Sequence, residues 1–242
     1  MWLREIKRFF RSKSRIIGSL GQPLLFLLSL GYGLGSVFKQ AGQGNYIEFL
    51  APGIIGMSII FSAIFNGMQV IWDRQFGFLK ETMVAPVSRV SIMLGRALGG
   101  ATTSAMQGCI VLFITFFVGF HPFSWPLIFP AILVMLLIAT LFSCFGIMIA
   151  SLLTDMQGFQ LIMNFIVMPM FFLSGAIFPL QGAPVALQWI ARFDPLSYGI
   201  DAMRALLINM SNFGLTLDIF VLAAFTLVFL GLGSYFFSKI EA

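Results

Sequence analysis

Charge is what this sequence has least of. Only 10% of its 242 residues are Asp, Glu, Lys or Arg, while 59% are hydrophobic and 15% aromatic. A water-soluble domain carries roughly 25% charged and 45–50% apolar residues. A soluble fold of this composition would leave large apolar patches in water, so the expected solvent is lipid. Spans take up most of these residues and leave no room among them for a soluble catalytic domain. Cysteine is nearly as scarce. Cys109 and Cys144 both fall in apolar runs and form no CxxC, which excludes a disulfide framework and a thiolate metal site. The single histidine, His121, cannot build a multi-histidine site and reads as an interfacial loop residue.

Motifs for chemistry are missing too. There is no GxxxxGK[ST], and no lysine follows a glycine, so the chain has no phosphate-cradling loop of that kind. HExxH and GxSxG are also absent. Asp73, Glu81, Asp155, Asp194, Asp201 and Asp218 all lie at or near the ends of apolar runs. Ionisable groups deep in a membrane are usually functional. Their scarcity argues against an ion-coupled carrier and against an intramembrane enzyme. No catalytic residue, cofactor or metal is expected in this chain, and the energy for any work comes from a partner.

What is present is long apolar runs and an uneven distribution of cations. The net charge of +5 would raise nucleic acid as a partner in a soluble protein. Here Arg4, Lys7, Arg8, Arg11, Lys13 and Arg15 all precede the first apolar run, where basic residues orient a membrane protein, so no nucleic acid is expected. Within residues 1–15, Trp2, Leu3, Ile6, Phe9 and Phe10 recur at helical spacing, and cations largely fill the other face. That predicts an amphipathic helix lying in the lipid interface. A cleaved signal peptide fits less well, because the following run is too long and lacks a clear small-residue site.

The fold class expected is all-α: a polytopic membrane protein of one transmembrane domain. Spans are predicted at 16–38, 49–72, 92–120, 126–153, 157–180 and 215–237. The first, at 1.5 Å per residue, reaches roughly 35 Å and crosses a ~30 Å hydrocarbon core. With the N-terminus inside, the cytoplasmic side holds the six N-terminal cations with Arg74, Lys80, Arg89, Arg96 and Lys239. The outside keeps Lys39, Arg192 and Arg204. Both termini are therefore expected in the cytoplasm. The 154–158 connector, with Asp155 and no cation, adds nothing to this bias.

Between residues 159 and 214 the hydropathy is ambiguous. Pro179, Gly182 and Pro184 break the fifth run, and 185–193 is apolar but too short to cross, which predicts a re-entrant or interfacial region over 173–193. Asp194-Pro195 has the form of a helix start, an N-cap followed by proline at the first helical position. Asp201 and Arg204 then share a face.

The connector over 73–89 is too long for a tight hairpin. Phe76, Leu79, Met83 and Val84 recur at helical spacing among charges, predicting a short amphipathic helix that ends before Pro86. From the residues alone, a helix docked in a groove on another protein and a helix resting on lipid are equally supported.

This connector resembles the signature stretch of the ABC type 2 exporter permeases, which include daunorubicin-resistance and polysaccharide-export membrane subunits. The matching residues are Leu79-Lys80-Glu81-Thr82-Met83 and Pro86-Val87-Ser88-Arg89. A second stretch is similar as well: Leu173-Ser174-Gly175-Ala176-Ile177-Phe178-Pro179-Leu180, then Asp194-Pro195-Leu196-Ser197-Tyr198 and Asp201-Ala202-Met203-Arg204. Asparagine is commoner than Asp194 before that proline. The resemblance covers nearly the whole chain and says little about substrate.

It implies a permease subunit of an exporter in the cytoplasmic (inner) membrane, moving a drug, lipid or glycoconjugate outward. Two permeases, identical or paralogous, would pair in the lipid. A separate ABC ATPase subunit would hold ATP and Mg. Segment 73–89 would be the coupling helix seated on that ATPase, with Asp73, Phe76, Gly77, Leu79, Lys80, Glu81, Thr82, Met83, Pro86, Val87, Ser88 and Arg89 as its residues. Gly175, Phe178, Pro179, Pro195 and Arg204 would belong to an outer gate. The polar span residues Asn66, Gln69, Gln107 and Asn164 could line a pathway or bond between helices. Arg96 reads as a cytoplasmic anchor, and Gly95 and Gly99 as a close-packing pair. An ATPase-independent channel or carrier, and a membrane scaffold, are the alternatives.

Overall fold

The computed structural model of the chain describes residues 1–40, 44–78 and 87–240. Its elements are all helical. In chain order they are α1 (Trp2–Arg11), α2 (Lys13–Gly33), α3 (Gly35–Gln40), α4 (Tyr46–Gln75) and α5 (Arg89–Phe117). A 3-10 turn (Trp125–Leu127) follows, then α6 (Ile128–Leu152), α7 (Met156–Leu173), α8 (Val185–Phe193), α9 (Pro195–Ile208) and α10 (Leu215–Ser238). Among the described residues, six helices are long and apolar enough to cross a membrane: α2, α4, α5, α6 with its leading turn, α7 and α10.

Short polar side chains set where several helices begin. Asn45 accepts a hydrogen bond from the backbone N–H of Ile47, Ser88 from Ser91, Asp155 from Gly158 and Asp194 from Leu196. Each satisfies one of the donors that a helix start leaves unpaired. Several ends fall elsewhere than hydropathy places them, by three residues at both ends of α4 and α5. Helix α2 starts at Lys13, because its backbone bonds continue whether or not the side chains are apolar. Helix α7 stops at Leu173, seven residues short of the apolar run's end. The stop comes at Gly175, whose φ of +76° is left-handed backbone that L side chains rarely adopt.

Helix α4 is the centre of the bundle. It packs on α6, α5, α2, α9 and α7, while α6 also packs on α10, α5 and α9. Most of α4 is buried, and it is apolar on all sides, as a helix surrounded by others must be. Its crossing with α6 is backbone to backbone. A Cβ on Gly146 would come 2.7 Å from the carbonyl oxygen of Ile64, and one on Gly67 would clash with the carbonyl of Gly146. Small residues permit this kind of approach where lipid supplies no hydrophobic drive between helices. Helices α2, α7 and α10, by contrast, leave most of their surface uncovered. Phe165 on α7 is 81% exposed.

Candidate functional site

Three places in the bundle carry polar structure that the apolar spans do not require. The first is the end bearing α1 and the chain termini of α4, α5 and α10. Asp73 lies buried in the last turn of α4 and pairs with two arginines, Arg96 of α5 at 2.5 Å and Arg4 of α1 at 3.4 Å. Arg96 is itself buried. One helix turn earlier, Gln69 Oε1 accepts from Arg8 at 2.9 Å. Trp2 Nε1 donates to Thr102 Oγ1 at 3.0 Å. Helix α1 is held flat on α5 because Gly95 and Gly99 leave room for Met1 and Glu5, and a Cβ at Gly99 would stand 2.9 Å from Glu5. Arg89, at the start of α5, donates to the carbonyls of Ser238, the last residue of α10, and Ile240 just beyond it. Four helices are thus joined by charge-assisted bonds, the strong kind.

The expected coupling residues fall unevenly on this end. Asp73 is inside the network. Phe76 is exposed and stacks on Trp72 with ring centroids 5.1 Å apart. Gly77 takes a φ of +78° where α4 ends. Val87 is exposed and Ser88 caps α5. Leu79, Lys80, Glu81, Thr82, Met83 and Pro86 lie outside the described residues.

The second place is the opposite end. Arg204 of α9 is buried, and among the described residues its guanidinium bonds to backbone alone: Nη2 to the carbonyls of Gly175 at 2.9 Å and Ala176 at 3.0 Å, and Nε to that of Phe49 at 3.3 Å. It lies over the Phe49 ring, 3.8 Å from the centroid, a cation–π contact in a dry site. Burial pulls it down to about 10, so it stays charged at neutral pH. Tyr46 donates to the carbonyl of Ile177 at 2.9 Å. The turn after α7 is thereby tied to the first turn of α4. Phe178 and Pro179 follow half-buried in that turn, and Pro195 is buried at the start of α9. The bonds of Arg204 run past these residues to main-chain oxygens.

Asp201 shares a face with Arg204 but turns to other partners, accepting from Ser211, Asn212 and Phe213. It anchors the loop between α9 and α10. Asp194, the cap of α9, is buried, with Oδ1 bonded to Leu196 N–H and Oδ2 without a partner among the described residues. Burial pushes its carboxyl up to about 7, against the lowering effect of the Leu196 bond.

The third place is a cavity of about 280 Å³ between α1, α2, α4 and α5, with Glu5 and Arg8 in its wall.

Against this architecture, the comparisons with known proteins are specific. The family profile described as ABC-2 type transporter matches residues 1–208. The chain belongs to this family. It is similar to Nodulation protein J of Rhizobium leguminosarum bv. trifolii, 30% identical over 196 residues, covering 80% of this chain and 74% of that one. It is also similar to the inner membrane transport permease YadH of Escherichia coli K12, 28% identical over 232 residues, covering 95% and 90%. Nodulation protein J of Sinorhizobium fredii is 27% identical over 238 residues, covering 96% and 90%.

In this ABC-2 family member, reading the sequence missed the partners more than the residues. Arg96 reads as a surface anchor but is the buried partner of Asp73. Asn66 bonds to Gly100, Thr103 and Ser104 across the α4–α5 contact, and Asn164 faces outward on α7. Nothing in the spacing of Asp73 and Arg96, 23 residues apart on separate spans, could have paired them.

Proposed function

We propose that this chain is the permease subunit of an ABC exporter, moving a hydrophobic or amphiphilic substrate out of the cytoplasm with ATP hydrolysed on a separate subunit. Family membership supports the transport role, and the name of the Escherichia coli relative supports an inner-membrane location. The observation that carries the exporter reading is the joint around Asp73. It ties the basic helix α1 to the ends of α4 and α5, the two spans that flank segment 73–89.

In this reading that end faces the cytoplasm, as its cations favour, and both termini lie there. Segment 73–89 is the coupling helix and seats on the ATPase, which holds ATP and Mg. Because α4 and α5 are locked together by Asp73 and Arg96, a push on the segment moves them as one body. The uncovered faces of α2 and α7 offer a surface for a second permease, identical or paralogous. The turn held by Arg204 forms part of an outer gate, and lipid covers the rest. The permease itself hydrolyses nothing.

The test is Glu81→Lys in the complex reconstituted with its ATPase. Substrate-stimulated ATP hydrolysis falls at least tenfold while membrane insertion and thermal stability stay as in the parent. Unchanged stimulation would remove 73–89 from the coupling role.

A further inference from the structure

Two acids meet at the end of the bundle away from α1. Asp201 of α9 and Asp218 of α10 are 2% and 0% exposed, and they stand within hydrogen-bonding reach of each other. Their surroundings differ. Asp201 is fully engaged. The Ser211 hydroxyl, the backbone N–H groups of Asn212 and Phe213, and the side-chain amide of Asn212 all donate to it. The positive charge of Arg204, three residues on in α9, interacts with it as well. Surroundings of this kind suit an anion. Asp218 has none of them. Both of its oxygens are buried, and neither has a hydrogen-bond partner among the described residues.

The other groups around the pair are committed elsewhere. Tyr198 is close to Asp218, but its hydroxyl donates to the Arg192 carbonyl at 2.8 Å and its ring lies against Phe213. The Arg192 guanidinium lies over Trp189. On α4, which packs on α9, Tyr46 donates to Ile177 and Glu48 accepts from Asn45. Helices α6 and α7 carry no charged side chain, and the Cys144 thiol of α6 lies beside Gly233, toward the other end of α10. The charges of α5, Arg89 and Arg96, are at the opposite end of the bundle. The start of α10 attracts an acid, yet Asp218 accepts from none of its N–H groups.

A lone buried carboxylate is costly, and a second negative charge beside it adds to the cost. A proton removes both penalties at once. It turns one oxygen of Asp218 into a donor, with Asp201 as the acceptor in reach. A metal ion fits less well. The oxygens of Asp201 are taken, and no group of three or more His, Cys, Asp or Glu able to hold a metal occurs among the described residues.

The resulting bond fastens more than two helices. Asp201 accepts from Asn212 Nδ2 at 3.0 Å, and Asn212 Oδ1 accepts from Gln181 Nε2 at 2.8 Å. Asp218, Asp201, Asn212 and Gln181 form a line from the start of α10, through α9 and the loop after it, to the 174–184 turn. We infer that Asp201 and Asp218 are a proton-binding site, one proton to the pair, and that protonated Asp218 is the first link of this line. The inference depends on neither an ATPase nor a direction of transport.

The test uses the full chain in phosphatidylcholine nanodiscs at pH 7, with aspartate carboxyl carbons ¹³C-labelled. Asp194→Asn is the background, so that the Asp194 carboxyl does not contribute. The infrared spectrum contains the C=O stretch of a protonated aspartic acid, identified by its isotope shift. Adding Asp218→Asn removes that band, because an amide donates to Asp201 with no proton to hold. Amide hydrogen exchange over 209–214 and 174–184 then stays as in the background. Asp218→Leu, of similar size, donates nothing and speeds exchange over both segments at least fivefold, while α4 and α6 stay protected. Absence of the band in the background protein overturns the site without recourse to any variant at 218. A band of unchanged intensity in Asp218→Asn overturns it too, as does a melting midpoint that falls on adding EDTA, the mark of a bound metal ion. Unchanged exchange in Asp218→Leu overturns the link to the 174–184 turn. None of these results touches the Glu81→Lys test, which reads ATP hydrolysis.

Discussion

Replacing Asp194 with asparagine should make this protein more stable, and only above mildly acidic pH. Asp194 caps α9 through Oδ1, a role asparagine fills equally well. Its second oxygen is buried without a partner among the described residues. Burial raises the carboxyl from an ordinary 3.8 to about 7. The folded state therefore holds a proton that the unfolded chain gives up near pH 4. Stability is full below the unfolded value and falls as pH climbs from about 4 to about 7. One pH unit corresponds to 1.36 kcal/mol, so a shift of about three units is worth about 4 kcal/mol at pH 8.5. The positive end of α9 favours the carboxylate and returns roughly 0.5 kcal/mol of that. For a chain of this size, the remaining ~3–4 kcal/mol corresponds to ~10 °C in thermal midpoint. The assay is tryptophan-monitored melting of parent and Asp194→Asn in the same detergent from pH 4 to pH 8.5. The two midpoints should coincide at pH 4 and separate steadily above it, with the variant higher. A gap that does not change with pH, or a variant less stable at pH 8.5, would refute the reasoning.

Asp73→Asn strands the buried guanidinium of Arg96 and should cost about 3–5 kcal/mol. Melting should show the loss, and the double variant Asp73→Asn/Arg96→Met should recover most of it. Arg204→Ala leaves three buried carbonyls short of a donor, at roughly 1–3 kcal/mol each before relaxation. Amide hydrogen exchange over 174–184 should rise at least tenfold while α5 and α6 stay protected. Gly175→Ala forces a Cβ to 2.7 Å from Leu180 at a φ of +76° and should cost about 1–3 kcal/mol. A melting midpoint unchanged within about 1 °C would show that the turn relaxes freely.

The residues that announced themselves in the sequence were those whose role depends on near neighbours. The apolar runs of α4 and α6 are long and unbroken, so hydropathy finds them. Asp194-Pro195 signals the start of α9 because a cap and a first-turn proline act within four residues. The outer site was only half legible. Gly175 and Arg204 stand out, but the acceptors of Arg204 are main-chain oxygens, which any residue supplies and no sequence marks. Asp73 was legible as one residue of a charged connector. Its bonds to Arg4 and Arg96 arise only when three helices meet. The cavity left no trace at all, since its wall forms only where α1, α2, α4 and α5 meet.

Helix α4 is held at both extremities. Phe49, in its first turn, gives its carbonyl to Arg204, and Asp73, in its last, is gripped by Arg4 and Arg96. Its 30 residues make a rod of about 45 Å. Swinging such a rod by about 5° about one extremity carries the other roughly 4 Å, more than the length of a hydrogen bond. The two clasps can both survive a tilt of that size only if the partners at the moving end travel with the rod. A displacement of the Asp73 joint that slides the rod, rather than pivoting it about Phe49, must carry Arg204 and the 174–184 turn along or break the Phe49 bond.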